Sequence, residues 1–227
     1  MKLVALFAIF CMFFISSCSD DSPCSCPNND SPNDTIEKDN FEVVKIGSQV
    51  WMSKNLDLTL FRNGDSIYHA QSKADWLYAS ENNIPAWCYY AFENNNGERY
   101  GKLYNWHAVS DSRGLAPSGY HVPSDREWSI LIDYLGGESV AGKKLKSRDG
   151  WFDNGNGTNI SGFSGLPGGF CNYFGNFNDI GTYGYWWSSM ENNTDRAWFR
   201  NVFYGTDSVI TNFSGKCDGF SVRCLRD

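Results

Sequence analysis

Cysteine offers the most chemistry in this sequence: eight are present among 227 residues, against three histidines. A thiolate is a nucleophile and a soft-metal ligand, and two thiols make a redox couple. Cys18 follows an apolar run over residues 3–15 and the small residues Ser16 and Ser17. Residues 1–17 read as a leader that is removed, which would make Cys18 the new first residue. Cys11 leaves with that leader, and Cys24 and Cys26 lie in a polar stretch. Cys88, Cys171, Cys217 and Cys224 remain, and export would let them pair as disulfides. Their spacing does not choose among the possible pairings.

Other reactive constellations are missing. His69, His107 and His121 have no ligand-type partner at helical i, i+4 spacing, so zinc is not expected. There is no Gly-x-Ser-x-Gly elbow and no phosphate-binding loop. His107 reads as a packed residue on an apolar helix face, and His121 as structural. The run from Asp153 to Asn159 is rich in oxygen ligands but lacks the spacing and closing Glu of an EF-hand. It reads as a solvated loop, and whether it holds a cation stays open. No cofactor is expected and no catalytic residue is named. What remains is recognition chemistry, since aromatic residues make up 16% of the chain. Most rings will fill a core. In the loop-rich second half, Tyr173, Phe174, Tyr183, Tyr185, Asn192, Asn193 and Tyr204 join ring faces to amides, and these are the candidate ligand contacts.

The elements that must position these residues begin with targeting. Lys2, a short apolar run and small residues make a secretory signal over 1–17. The run is too short for a permanent membrane span. Ile15-Ser16-Ser17-Cys18 resembles the lipobox of bacterial lipoproteins, and Asp20-Asp21 resembles the surface-export signals of Bacteroidetes lipoproteins. Residues 18–40 are nearly free of apolar side chains and read as a lipidated flexible tether. The formal charge of −7 excludes nucleic acid as the expected partner and argues against electrostatic docking on anionic lipid. The membrane is then reached through the lipid on Cys18, at the outer membrane and facing the surface.

One domain over 41–227 follows. Residues 41–46 and 50–52 flank Gly47-Ser48-Gln49 as a hairpin. Residues 74–82 read as a short helix, 87–90 as a strand, and 101–109 as a helical face holding Leu103, Trp106 and His107. Ser124 and Glu127 form a capping box ahead of Trp128, Leu131, Ile132 and Leu135, and Gly136-Gly137 stops that helix. Residues 153–184 read as a long Gly/Asn loop region. Strands return at 185–189, 197–204, 207–213 and 219–225, the last alternating as a half-buried strand would. The class is α+β.

Ordered blocks then carry a family resemblance. They are Trp51-Met52-Ser53-Lys54-Asn55-Leu56, Tyr100-Gly101-Lys102-Leu103-Tyr104-Asn105-Trp106, Gly119-Tyr120-His121-Val122-Pro123-Ser124, Gly162-Phe163-Ser164-Gly165-Leu166-Pro167-Gly168-Gly169, Tyr185-Trp186-Trp187-Ser188-Ser189 and Gly219-Phe220-Ser221-Val222-Arg223-Cys224. Together they resemble the Fibrobacter succinogenes major paralogous domain, found on lipoproteins and secreted proteins, with no established activity to carry over. Two of the blocks are also similar to the formylglycine-generating-enzyme branch of the C-type lectin fold. That likeness implies paired terminal strands, two flanking helices, a long loop region and a second small antiparallel sheet. The family pattern has Cys where Cys88 and Cys224 stand, so the resemblance implies Cys88 paired with Cys224 and Cys171 with Cys217. Arg223 reads as a buried structural charge partner. The expected role is non-catalytic recognition of a glycan or protein at the cell envelope. A structural envelope protein is the second expectation, and a copper oxidase using Cys217 and Cys224 is the third.

Overall fold

The computed structural model describes residues 41–227. The leader, Cys18 and the polar segment through residue 40 lie outside the described residues. β1 (Val43–Ile46) and β2 (Gln49–Met52) form the expected hairpin, Ile46 facing Gln49 across Gly47-Ser48. Gly47 has φ +61°, the positive angle that tight hairpin turns favour at their first position. Its bare Cα also admits the Tyr134 ring, which a Cβ would approach to 2.9 Å.

β3 (Tyr68–His69) leads into α1 (Lys73–Glu81), where the Ser72 hydroxyl accepts from the Asp75 amide. β4 (Ala86–Cys88) and α2 (Asn94–Tyr100) follow. Residues 101–109 do not form one helical face. They split into β5 (Leu103–Asn105) and α3 (Trp106–Val109). Asn105 makes the break. Its Oδ1 accepts from the Ala86 and Ala108 amides, and its Nδ2 donates to the Ile84 carbonyl. A short amide that bonds backbone locally ends one element and starts the next.

β6 (Tyr120–His121) precedes α4 (Asp125–Tyr134), whose capping box forms as read. The chain turns at Gly136-Gly137 and enters α5 (Glu138–Leu145), which no sequence signal announced. Its pattern is interrupted by Gly142, where the helix presses on backbone: a Cβ there would stand 2.4 Å from the Ser208 carbonyl oxygen. The region 153–184 is not all loop. It holds the hairpin β7 (Gly168–Cys171) and β8 (Phe177–Ile180). β9 (Tyr183–Glu191), β10 (Arg196–Phe203) and β11 (Val209–Gly215) make the expected antiparallel set. β12 (Gly219–Phe220) and β13 (Leu225–Arg226) close the chain.

The class is α+β. The sheets run β1-β2-β13-β6, β11-β10-β9 and β3-β4-β5-β12-β7-β8. Terminal strands pair, Leu225 facing Trp51. The link from β12 to β13 is no half-buried strand. From Phe220 to Leu225 no side chain is more than 4% exposed. The chain leaves one sheet after Phe220, bridges Ser221 to Trp186, and enters another at Leu225. Polar residues alternate there because Ser221 and Arg223 find internal partners, not because one face meets water. Aromatic rings weld the layers: Trp51 lies 4.8 Å from Trp128 and 5.8 Å from Phe163, which reaches Trp186 at 5.5 Å. No described helix is long and apolar enough to cross a membrane.

Lys146 shows how the loops are held. It is 2% exposed, and its ammonium donates to the carbonyls of Phe203, Tyr204 and Thr206. Among the described residues no carboxylate pairs with it, and burial pulls its amine below the ordinary lysine value. Lys146→Met leaves those carbonyls without a donor. We expect a loss of about 2–4 kcal/mol, read as a lower urea midpoint at unchanged slope.

Candidate functional site

A cleft of about 490 Å³ opens where β2 runs out, α2 ends and the link to β13 passes beneath. One wall is Ser53, Lys54, Asn55 and Asp57. The second is the end of α2, Gly97 to Gly101. The third is Ser147, Arg148 and Asp149, with Asn159, Ser164 and Leu166 beside them, and Arg223 forms the floor.

Asn55 organises this place. Its Nδ2 donates to the Tyr100 carbonyl at 2.8 Å and to Ser221 Oγ at 3.2 Å. Its Oδ1 accepts from Trp186 Nε1 at 2.9 Å and from Arg223 Nη2 at 2.7 Å. Arg223 is fully buried and also donates to the carbonyls of Met52 and Phe163. Its guanidinium lies over the Phe163 ring at 4.2 Å. Burial pushes Arg223 down to about 9, which leaves it charged at neutral pH.

The charges around the cleft divide cleanly. Lys54 pairs with Glu42 at 3.1 Å, both exposed. Asp57 is paired by Lys102, a buried ammonium that also sits 4.5 Å from the Trp87 ring. Among the described residues, Arg99, Arg148 and Arg223 have no carboxylate within ion-pair distance, and neither Glu98 nor Asp149 has a cation. Arg148 is steadied by donating from Nε to the Thr158 carbonyl.

The family model described as Fibrobacter succinogenes major domain matches residues 44–226. The chain belongs to that family. No curated protein and no solved structure matches it. The blocks that carried the resemblance meet at this cleft: Asn55 and Tyr100 come from two of them, Phe163 and Ser164 from a third, Trp186 from a fourth and Arg223 from the last.

In this Fibrobacter succinogenes major domain the candidates Tyr183, Tyr185 and Tyr204 adjoin, Phe203 lying 4.5 Å from Tyr183 and 4.4 Å from Tyr204. Tyr185 packs on Phe220 at 5.1 Å and donates its hydroxyl to Asp179 at 2.7 Å, which makes it a wall of the core. Tyr183 stacks on Tyr185 at 5.5 Å. Tyr204 packs on Phe152 at 5.3 Å. Asn192 and Asn193 build the turn into β10, Asn193 Oδ1 accepting from the Asp195 and Arg196 amides. Tyr173 and Phe174 contact one another at 5.0 Å, and Phe174 is exposed. None of these lines the cleft. Arg223 is buried as read, but no carboxylate partners it, and sequence reasoning passed over it as a site residue. The polar walls Asn55, Arg99 and Arg148 were missed too. Their signal was the meeting of family blocks, which only the fold reveals.

The implied disulfides are not formed. Cys88, Cys171, Cys217 and Cys224 are all free thiols. Cys88 lies against Cys171 in the cluster around Trp76, and burial pushes its thiol up. Cys224 sits in a different cluster with Met52 and Tyr104. The switch between sheets after Phe220 carries Cys224 away from Cys88. Cys217 Sγ faces His107 Nε2 at 3.6 Å and the Ser80 carbonyl at 3.4 Å. His107 is half-buried rather than sealed in core. Among the described residues no group of three His, Cys, Asp or Glu side chains is placed to hold a metal. The oxygen-rich run from Asp153 to Asn159 spends ligands on protein: Asn156 Oδ1 accepts from the Trp151 amide and Asn159 Oδ1 from the Ser164 amide.

His121 is held between carboxylates, Nδ1 2.6 Å from Asp227 Oδ1 and Nε2 2.9 Å from Glu127 Oε1. Burial pulls its imidazole down, but the Asp227 and Glu127 carboxylates outweigh this and hold it above the ordinary 6.5. Its stabilisation is therefore full below pH 6.5 and is lost as pH rises through the higher folded value. Glu127 is raised by burial and lowered more by Ser124 and His121, so its share is present above 4.5 and lost in acid. The thermal midpoint of the native chain should fall as pH rises above 6.5, and His121→Gln should flatten that slope. An equally steep slope in the variant contradicts the assignment.

Proposed function

We propose that this domain is a non-catalytic recognition module, held at the bacterial envelope by lipid on Cys18, that binds a glycan in the cleft floored by Arg223. The observation that carries the reading is the cleft itself. It is concave, and Tyr100 lines it together with amides, hydroxyls and charged groups. Sugars are recognised by such polar groups together with an aromatic face. Backbone around it is fixed by Asn55, so the polar groups are placed before a ligand arrives.

Two measurements test this. Radiolabelled palmitate should enter the full chain and not Cys18→Ala, and that variant should leave the membrane fraction. A glycan array on the purified chain should give saturable binding that Tyr100→Ala weakens about tenfold. An array with no saturable signal overturns the recognition reading.

A further inference from the structure

We propose that Cys88 and Cys171 are a disulfide site: two thiols, buried side by side in the cluster around Trp76, that close to an S–S bond as the chain folds in an oxidising compartment. This inference rests on the export part of the envelope reading and is independent of the glycan.

The argument is one of placement. Cys88 ends β4 and Cys171 ends β7, both stand as free thiols, and neither exposes any surface. The Cys88 thiol hydrogen-bonds to Cys171, whose own Sγ donates to the Asn172 carbonyl at 3.6 Å. Small residues surround the pair. Ala70, Ala79 and Ala86 share its cluster, and Gly219 faces Cys171 across the ladder, where a Cβ would stand 3.3 Å from the Cys171 Cβ. Among the described residues no other two cysteines share a cluster. Cys224 packs with Met52 and Tyr104, and Cys217 faces His107.

The bond would brace a weak junction. In the six-stranded sheet β5 and β12 lie between β4 and β7. β12 is two residues long, and Gly219 alone pairs it with β7. A link from Cys88 to Cys171 spans that junction and ties the β7–β8 hairpin to the first half of the domain. It also closes a long loop, which takes entropy from the unfolded chain.

The redox step is a thiol–disulfide exchange. The two thiols give up two protons and two electrons, and the Cys88–Cys171 bond forms. An exported thiol oxidant supplies the disulfide that breaks, and it leaves as two thiols. Attack needs a thiolate, and burial pushes the Cys88 thiol up. The folded pair is sealed from oxidant, so the exchange precedes closure of the cluster. The same burial then shields the bond from reductant.

The full-length chain is unfolded and reduced, refolded in a glutathione disulfide buffer, alkylated, and digested without reduction. The peptides of Cys88 and Cys171 should be joined, while Cys217 and Cys224 carry the alkyl label. The oxidised chain should melt about 10 °C above the same chain refolded in dithiothreitol. Cys88→Ala, Cys171→Ala and the double variant should each lose that difference to the same extent, because each removes the same bond. Dithiothreitol added to the folded, oxidised chain should leave the bond intact until urea opens the core. Alkyl label on both Cys88 and Cys171 overturns the proposal, as does either of them joined to Cys217 or Cys224. So does a melting point that ignores the oxidant. The buffer replaces the compartment, so these failures fall on the site alone, whereas palmitate uptake reports on export.

Discussion

Arg223→Met unfolds this domain more readily by about 3–4 kcal/mol, a fall of roughly 10 °C in the thermal midpoint. The expectation runs against a common result, since exchanging a buried ion pair for well-packed apolar residues is often neutral or stabilising. That result needs partners that can be replaced together. Here the partners are the carbonyls of Met52 and Phe163 and the side chain of Asn55. Two of these are backbone and survive any substitution. Methionine fills the volume but leaves buried acceptors unmet, and each unmet acceptor costs about 1–3 kcal/mol. The gain from removing a buried charge without a counter-ion offsets only part of this. Denaturant melts of Arg223→Met, Asn55→Ala and the double variant would show it. The double variant should lose less than the two single losses together, because both act on one network. Full additivity, or a neutral Arg223→Met, contradicts the picture.

Much of the frame was legible because its signals are local. Gly47 between two apolar runs announced the first hairpin, and Ser124 with Glu127 announced α4. Such signals depend on a few neighbouring residues whose geometry admits one outcome. The failures share the opposite property. Residues 101–109 look helical by spacing, but Asn105 draws bonds from Ile84, Ala86 and Ala108, and its tie to Ile84 and Ala86 is tertiary. The link from Phe220 to Leu225 mimics a strand with one wet face, yet its polar side chains bond inward to Asn55. Alternation records polarity; it does not say whether water or a buried amide satisfies it.

The cleft was illegible for a further reason. Its walls come from residues far apart in the chain, Lys54, Arg99, Arg148 and Arg223 among them. In the sequence each reads as an ordinary surface or structural charge. The aromatic cluster of the second half drew attention instead, because rings and amides crowd there locally. The structure spends Tyr185 on core and Asn193 on a turn. Composition locates candidates; only topology shows which of them face the same space.

Asn105 gives the other large effect. It is 1% exposed and bonds at every polar atom used: Oδ1 to the Ala86 and Ala108 amides, Nδ2 to the Ile84 carbonyl. Asn105→Leu keeps the bulk, removes the cap of α3 and strands those backbone groups. We expect a loss of about 3–5 kcal/mol, with urea melts as the measurement. Asn105→Asp separates the roles. A carboxylate still accepts from both amides but cannot donate to the Ile84 carbonyl, whereas a protonated acid can. Burial and that carbonyl both favour the protonated form, so the folded pKa rises above the unfolded value of about 3.9. Stability tied to that proton is full below the unfolded value and is lost as pH rises through the folded one. The gap between native and Asn105→Asp should therefore narrow in acid. A gap that widens as pH falls would mean that the Ile84 bond contributes little and that Asn105 works through its cap alone.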